Sequence, residues 1–247
     1  MDLTGAPPLP LCDPLPVAGG AVSAEQVLEV VGPTLTPARR ERIERVVAAR
    51  TCAVVPVLEG LTDAGNIAAV LRSAEGLGFA AVHVVPYAGE TGGRPPNRVT
   101  QGAEKWLLIR HWEDNAACVA GLRAAGYRIA ATMPGGRSIR LAEVDLSTPL
   151  AVVFGNEHRG VSEFLAAQAD ERVSVPMHGF SRSFNVSVAV AVVLAHLRDR
   201  LPREAPHWQP TAAQRLLLTA HYYLASQPRA ASLLRHHGAL DTHPYAR

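Results

Sequence analysis

The sequence predicts an α/β fold, a mainly parallel sheet with helices on both faces. Three observations predict it. Short apolar, β-branched runs recur along most of the chain, bounded by Gly, Pro or Asn. Between them lie longer stretches with apolar residues at helical spacing. The two kinds alternate in order, as strands buried on both faces and joined by crossover helices do. Composition allows it, with 247 residues, 48% hydrophobic and 19% charged. That suffices for one large core, or a core with appendages.

Residues 1–22 are rich in Pro and Gly and are expected to be a mobile or loosely docked arm. Ser23 to Val31 suits one short helix, ended by Gly32-Pro33. Thr36-Pro37 is a helix start, a capping hydroxyl followed by Pro in the first turn. The helix from Ala38 to Arg50 carries Arg39, Arg40, Arg42, Arg45 and Arg50 against Glu41 and Glu44. Such a face is either simply solvated or an edge for phosphates.

Strands are expected at Ala53–Leu58, Ala81–Val85, Leu107–Ile109, Tyr127–Thr132 and Pro149–Phe154, with helices from Asn66, over Asn115–Ala125 and over Ser162–Ala169. Residues 86–101 form a Gly/Pro-rich loop long enough to suggest function. The chain centres on Val173–Arg200. A short strand, Val173 to Val175, is stopped by Pro176, and Asn185 then opens a helix whose Val186–Leu197 segment is apolar on nearly every face. That pattern predicts a helix buried all round. The polar loop Ser183–Ser187 meets its N-terminus, where free backbone N–H groups suit a polar ligand. After Leu197, Pro202, Pro206 and Pro210 mark a linker, followed by helices over Thr211–Ser226 and Pro228–His237.

Net charge is only +2 and the pI about 8.6, so any nucleic-acid footprint is local. Cys12, Cys52 and Cys118 show no CxxC spacing, which predicts a reducing compartment and no metal site. No apolar run reaches the roughly 18–20 residues of a membrane span, and no basic-then-apolar leader opens the sequence. The expectation is a cytoplasmic protein with no membrane partner.

Three segments carry a resemblance: Asn66-Ile-Ala-Ala-Val-Leu-Arg72, Val152-Val-Phe-Gly155-Asn-Glu157-His-Arg-Gly160-Val-Ser162, and Val175-Pro-Met177-His-Gly-Phe-Ser-Arg-Ser183-Phe-Asn185-Val-Ser. Together and in this order they resemble the SpoU/TrmH family of RNA ribose 2′-O-methyltransferases, within the SPOUT superfamily. The basic helix before the first strand and Gly102-Ala-Glu-Lys105-Trp106 look like its tRNA-modifying TrmH branch. The resemblance spans about residues 36–200. It implies a methyltransferase domain over 36–200; the Pro/Gly-rich arm over 1–35 and the helical extension over 201–247 lie outside the match. It further implies a deep C-terminal trefoil knot, an exception to the rule against threaded chains. S-adenosyl-L-methionine is the implied cofactor, and the implied assembly is a homodimer whose sites are each completed by the partner, with its seam on helix 185–197.

By the same resemblance Thr132, Gly155, Val175 and Phe184 line the donor pocket, and Arg72 is the central catalytic residue. Asn66 and Glu157 would orient Arg72, and Ser183 and Asn185 would position ribose, phosphate or donor. A guanidinium is hard to deprotonate, so a phosphate and oxyanion clamp is favoured for Arg72 over a general base. Taken singly, Asn66 and Asn185 read as helix caps. Relatives often carry Leu where this chain has Phe184, and Gln or Glu where it has Arg182. Arg42, Lys105 and Arg198 are the candidate RNA contacts. The implied substrate is tRNA, at a guanosine of the D-loop, with ribosomal RNA as the alternative. A non-catalytic knotted RNA-binding module is the competing class, and retention of Asn66, Arg72, Glu157, Ser183 and Asn185 argues against it. A dinucleotide-binding oxidoreductase is disfavoured because no GxGxxG follows the first strand.

Overall fold

The computed structural model describes residues 7–90, 102–133, 138–205 and 207–240. They fall into two compact units. One contains Leu9–Arg50 together with the chain from Pro210 on, and the other contains Thr51–Gln209.

The first unit opens with β1 (Leu15–Val17) and β2 (Gly20–Val22), an antiparallel hairpin turned at Gly19, whose φ is +97°. Leu15 and Val22 are buried. The segment expected to be a loose arm is thus folded in this stretch, because its few apolar residues share one face. Helix α1 (Ala24–Val31) follows, with Ser23 and Gln26 in a reciprocal capping box. Asp13 Oδ1 accepts the Ala24 amide at 2.8 Å and ties the hairpin to that helix start. Helix α2 (Pro37–Ala49) is capped by Thr36. It buries Ile43 and Val47 and leaves Arg39, Arg42 and Arg45 exposed.

The second unit is built on strands β3 (Val54–Glu59), β4 (Ala81–Val85), β5 (Leu108–His111), β6 (Arg128–Thr132), β7 (Ile139–Arg140), β8 (Leu150–Phe154) and β9 (Glu171–Ser174). They form one seven-stranded sheet in the order β5-β4-β3-β8-β6-β9-β7. Every pairing in it is parallel. Helices α3 (Ala64–Gly76), α4 (Asn115–Ala124), α5 (Glu163–Gln168) and α6 (Val186–Glu204) complete the layers. Each residue of β3 and β8 is buried. Side chains alternate across a strand, so both faces of the sheet are covered. Strand ends differ from the expected ones by a residue or two, and β7 was not expected.

Two differences bear on the site. Helix α3 starts at Ala64 with Asp63 as its cap, Asp63 Oδ1 accepting the Asn66 amide at 2.7 Å. Asn66 therefore lies inside the first turn, with its side chain free of capping. Helix α6 does not stop near Leu197. It runs through Pro202 to Glu204. An internal Pro costs about 3 kcal/mol. Here Leu201 is fully buried, and Arg200 donates to the carbonyls of Leu141 at 2.9 Å and Val144 at 2.6 Å. These contacts offset the lost bond.

The first unit closes with α7 (Ala212–Ser226) and α8 (Ala230–His236). Thr211 and Gln214 form a second capping box. Helix α7 packs on α1 and α2. Arg50, expected on the basic face, is instead buried, and its Nε donates to the Tyr222 hydroxyl at 2.8 Å.

Within α6 the buried positions are Val190, Val193, Leu194, Leu197 and Leu201, one helical stripe. Val188 and Val192 are 45% and 39% exposed. Within one chain the helix is therefore not buried all round, contrary to the expectation from its sequence. Leu194→Ala should lower the free energy of unfolding by about 2–5 kcal/mol through the cavity it leaves, read from urea denaturation of the full chain.

Candidate active site

The parallel register sets the site. Strands β8, β6 and β9 lie side by side, and their C-terminal ends fall on one edge of the sheet. The loops leaving those ends converge there, the usual ligand position in an open parallel sheet. They enclose a cleft of about 520 Å³, lined by Thr132 after β6, by Gly155 and Glu157 after β8, and by Val175, Ser183 and Phe184 after β9. Asn185 lines it too. All four proposed donor-pocket residues thus share one cavity, together with three of the five proposed catalytic residues.

Gly155 has a structural reason to be glycine. A Cβ there would fall inside the Gly160–Val161 backbone. The loop folds back on itself: the Asn156 amide donates to Gly160 O at 3.0 Å, and the Gly160 amide returns to Asn156 O at 2.8 Å. Gly160 turns the chain with φ +69°. The Asn156 side chain completes the fold. Its Oδ1 accepts the amides of His158 at 2.9 Å and Arg159 at 3.2 Å, while its Nδ2 donates to Gly60 O at 2.7 Å. That last bond fastens the loop after β8 to the end of β3. Glu59, the last residue of β3, makes a second tie, its Oε2 accepting the Ser162 amide at 2.8 Å.

A polar chain crosses the three sequence segments. Asn66 Nδ2 donates to Glu157 Oε1 at 2.8 Å, and Asn185 Nδ2 donates to Asn66 Oδ1 at 3.1 Å. Asn185 also caps α6, its Oδ1 accepting the Ser187 amide at 2.8 Å and hydroxyl at 2.6 Å. The capping reading of Asn185 and its place at the site hold together. Ser183 is exposed on the cleft wall. Arg72 is exposed on α3 and is not among the residues lining this chain's own cleft.

The candidate RNA contacts divide. Arg42 is exposed on α2. Lys105 is exposed, its ammonium 4.7 Å from the centre of the Trp106 ring. Arg198 is half-buried. It donates Nε to Leu77 O at 3.0 Å and lies 5.0 Å from the centre of the Trp208 ring. Burial depresses its pKa below the usual guanidinium range. It serves the C-terminal end of α3, where the last carbonyls need donors. Residues 91–101, most of the long loop, lie outside the described residues.

Asn156, Glu59 and Asp63 went unremarked in the sequence. Asn156 was legible, since it sits between Gly155 and Glu157. Glu59 was not, because a carboxylate ending an apolar strand reads as the first solvated residue. Burial pushes its pKa up, partly opposed by hydrogen bonds from Ser162. Its Oε1 makes no hydrogen bond of normal geometry, although the Ala88 amide is near enough to favour the ionised form.

Unfolded, Glu59 loses its proton in the ordinary carboxylate range, and folded it holds it to higher pH. Between the two the native chain binds more protons, so stability should fall as pH rises through that window. Glu59→Gln should flatten this slope in urea midpoints measured from about pH 4 to about pH 7.

Comparison with known proteins agrees with this geometry. The sequence model of the SpoU rRNA Methylase family matches residues 53–195. A protein of Borreliella burgdorferi named tRNA (guanosine(18)-2′-O)-methyltransferase is 32% identical over 194 residues, covering 78% of this chain and 88% of that one. A Thermus thermophilus protein of the same name is 36% identical over 187 residues, covering 74% and 95%. The crystal structure of a TrmH/SpoU tRNA modifying enzyme from A. aeolicus shares the fold with a TM-score of 0.65 at 24% identity, covering 76% and 97%. The three motif segments, two lining the cleft and the third joined to them through Asn66, all fall inside the matched residues, and the chain belongs to the SpoU methylase family.

Proposed function

We propose that this protein methylates a ribose 2′-hydroxyl of tRNA, at the guanosine named in its relatives, with S-adenosyl-L-methionine as donor. One observation carries the proposal. The chain Asn185–Asn66–Glu157 joins the three motif segments beside a cleft whose volume suits a small cofactor. The cleft fits an adenosyl amino acid. Phe154, Val175 and Phe184 offer apolar surface, the loops offer backbone polar groups, and Glu157 and Arg182 offer opposite charges. When bound, that cofactor supplies an electrophilic methyl group on a sulfonium.

The chain's own residues do the rest. Gly155, Val175 and Phe184 hold the adenosine, with Thr132 at the edge. The Thr132 hydroxyl is bonded to Val153 O at 2.8 Å, which fixes its side chain. A ribose hydroxyl is a poor nucleophile, and alignment supplies much of the acceleration. Ser183 and Asn185 orient the acceptor. Arg72 grips the adjacent phosphate and stabilises the developing oxyanion, while Asn66 holds Glu157 in place to orient it. The exposure of Arg72 outside its own chain's cleft supports a site shared between two protomers. Val188 and Val192, apolar and exposed on α6, supply a seam for such a homodimer. The placement of β9 between β6 and β7, both earlier in sequence, supports the knotted C-terminal segment of the family. Arg42 on α2 and Lys105 supply phosphate contacts, and the enzyme meets its tRNA in the cytoplasm.

The test is single-turnover transfer of labelled methyl groups to unmodified tRNA, with mass-spectrometric mapping of the modified ribose. Transfer to a ribosomal RNA fragment in preference to tRNA would overturn the substrate. Arg72→Lys should lose transfer nearly as fully as Arg72→Ala, by about a hundredfold or more, because Lys has no planar fork. Donor affinity should survive in both. Val188→Asp with Val192→Asp should convert a dimer to a monomer in light scattering and abolish transfer, with the isolated fold intact by circular dichroism.

A further inference from the structure

Two guanidiniums line the cleft, Arg159 and Arg182. Arg159 is committed. Its Nη2 donates to Glu90 Oε1 at 2.7 Å, and its guanidinium carbon lies 3.7 Å from the centre of the Tyr87 ring. Arg182 is different. It is exposed on the loop between β9 and α6, and among the described residues it makes no ion pair, hydrogen bond or ring contact. The carboxylate of Glu157, which also lines the cleft, is held by Asn66. A cation that forms no ion pair among the described residues therefore stands on the wall of a cleft lined by both polar and apolar groups.

We propose that Arg182 grips the carboxylate of the donor's amino-acid end and so makes the cleft read the amino acid as well as the adenosine. The proposal rests on the cleft being the donor site. Its chemistry follows from the ligand. S-adenosylmethionine carries two positive charges, on sulfur and on the amino nitrogen, and a single negative one, on the carboxylate. Its adenosine carries none. Its one anionic group is that carboxylate, whose two oxygens match the guanidinium fork, so it is the group the guanidinium attracts most strongly. Glu157, which also lines the cleft, has the sign that suits the amino and sulfonium end. The walls thus carry charges opposite to those of the ligand's zwitterionic end. Because Arg182 is solvent-exposed, the gain is modest and screened by salt. A phosphate of the bound RNA is the rival anion.

The two sources are separated by ligands that differ only in that end. S-adenosylhomocysteine has the amino-acid carboxylate, whereas 5′-methylthioadenosine has the adenosine thioether without it. Both are titrated by calorimetry into the full-length protein, without RNA. Arg182→Ala and Arg182→Gln should weaken S-adenosylhomocysteine by about three- to tenfold, the scale of an exposed charge pair with good geometry. Methylthioadenosine should bind as it does to the wild type, and Arg182→Lys should fall between. The difference between the two ligands should shrink as salt rises.

Equal weakening of both ligands would show that Arg182 only shapes the loop, and would overturn the proposal. No change for either ligand, with weaker tRNA binding and a log–log salt slope reduced by about one, would assign the cation to an RNA phosphate and also overturn it. The cleft reading has its own control. Val175→Glu should abolish binding of both ligands, and undiminished binding would refute the donor site itself, whatever Arg182 does.

Discussion

The loop after β8 depends on two buried polar ties to the end of β3. A loop of small and polar residues has little apolar surface to hold it, and its backbone groups need partners wherever water is excluded. Asn156 supplies them. One side chain accepts two loop amides and donates to Gly60 O. Glu59 accepts the Ser162 amide and so fixes the start of α5. Since β3 and β8 are paired over five residues in register, the loop leaving β8 is tied back to the strand already held beside it. Glu157, Gly155 and the cleft wall inherit their positions from that arrangement.

Glu59 carries an energetic conflict. Its carboxylate is best as an acceptor when ionised, yet burial penalises the ionised form and one oxygen lacks a well-formed bond. Replacing it with an apolar residue would remove the conflict and the tie together. The position of the loop is thus held by a group that is not optimal for stability, a pattern common at functional sites.

Much of the fold was legible because alternating strands and helices buried on both faces leave a strong pattern. Strands β3, β4 and β8 were visible as continuous apolar runs. The short edge strand β7, with only Ile139 and Arg140, has no period to read. Helix starts were misjudged where two capping residues compete, as Asp63 does with Asn66. The pattern of α6 told that both faces are apolar but not what each one meets, since periodicity describes a surface and says nothing of its partner. Arg50 and Arg198 read as surface charge because a sequence shows neither the Tyr222 hydroxyl nor the Leu77 carbonyl that takes them inward. The Ser183–Ser187 side of the cleft was legible as a ligand-suited loop at a helix start, and the rest only through the resemblance. Its residues come from loops far apart in sequence, brought together by parallel register.

The first compact unit joins the two ends of the chain, for α1 and α2 pack against α7. On a ribosome, Leu9–Arg50 emerges early, but the helices it packs against follow only after all of Thr51–Gln209 has been made. At ordinary elongation rates that interval is on the order of ten seconds. During it, α1 and α2 hold apolar stripes without their cover, and Arg50 has no Tyr222 to meet. The capping box at Ser23 and the Thr36 cap favour the two helices locally, but helices this short gain most of their stability from packing. Completion of this unit therefore reports that synthesis has passed α7, and a chain cut short before α7 leaves its own N-terminal helices as exposed, sticky surface.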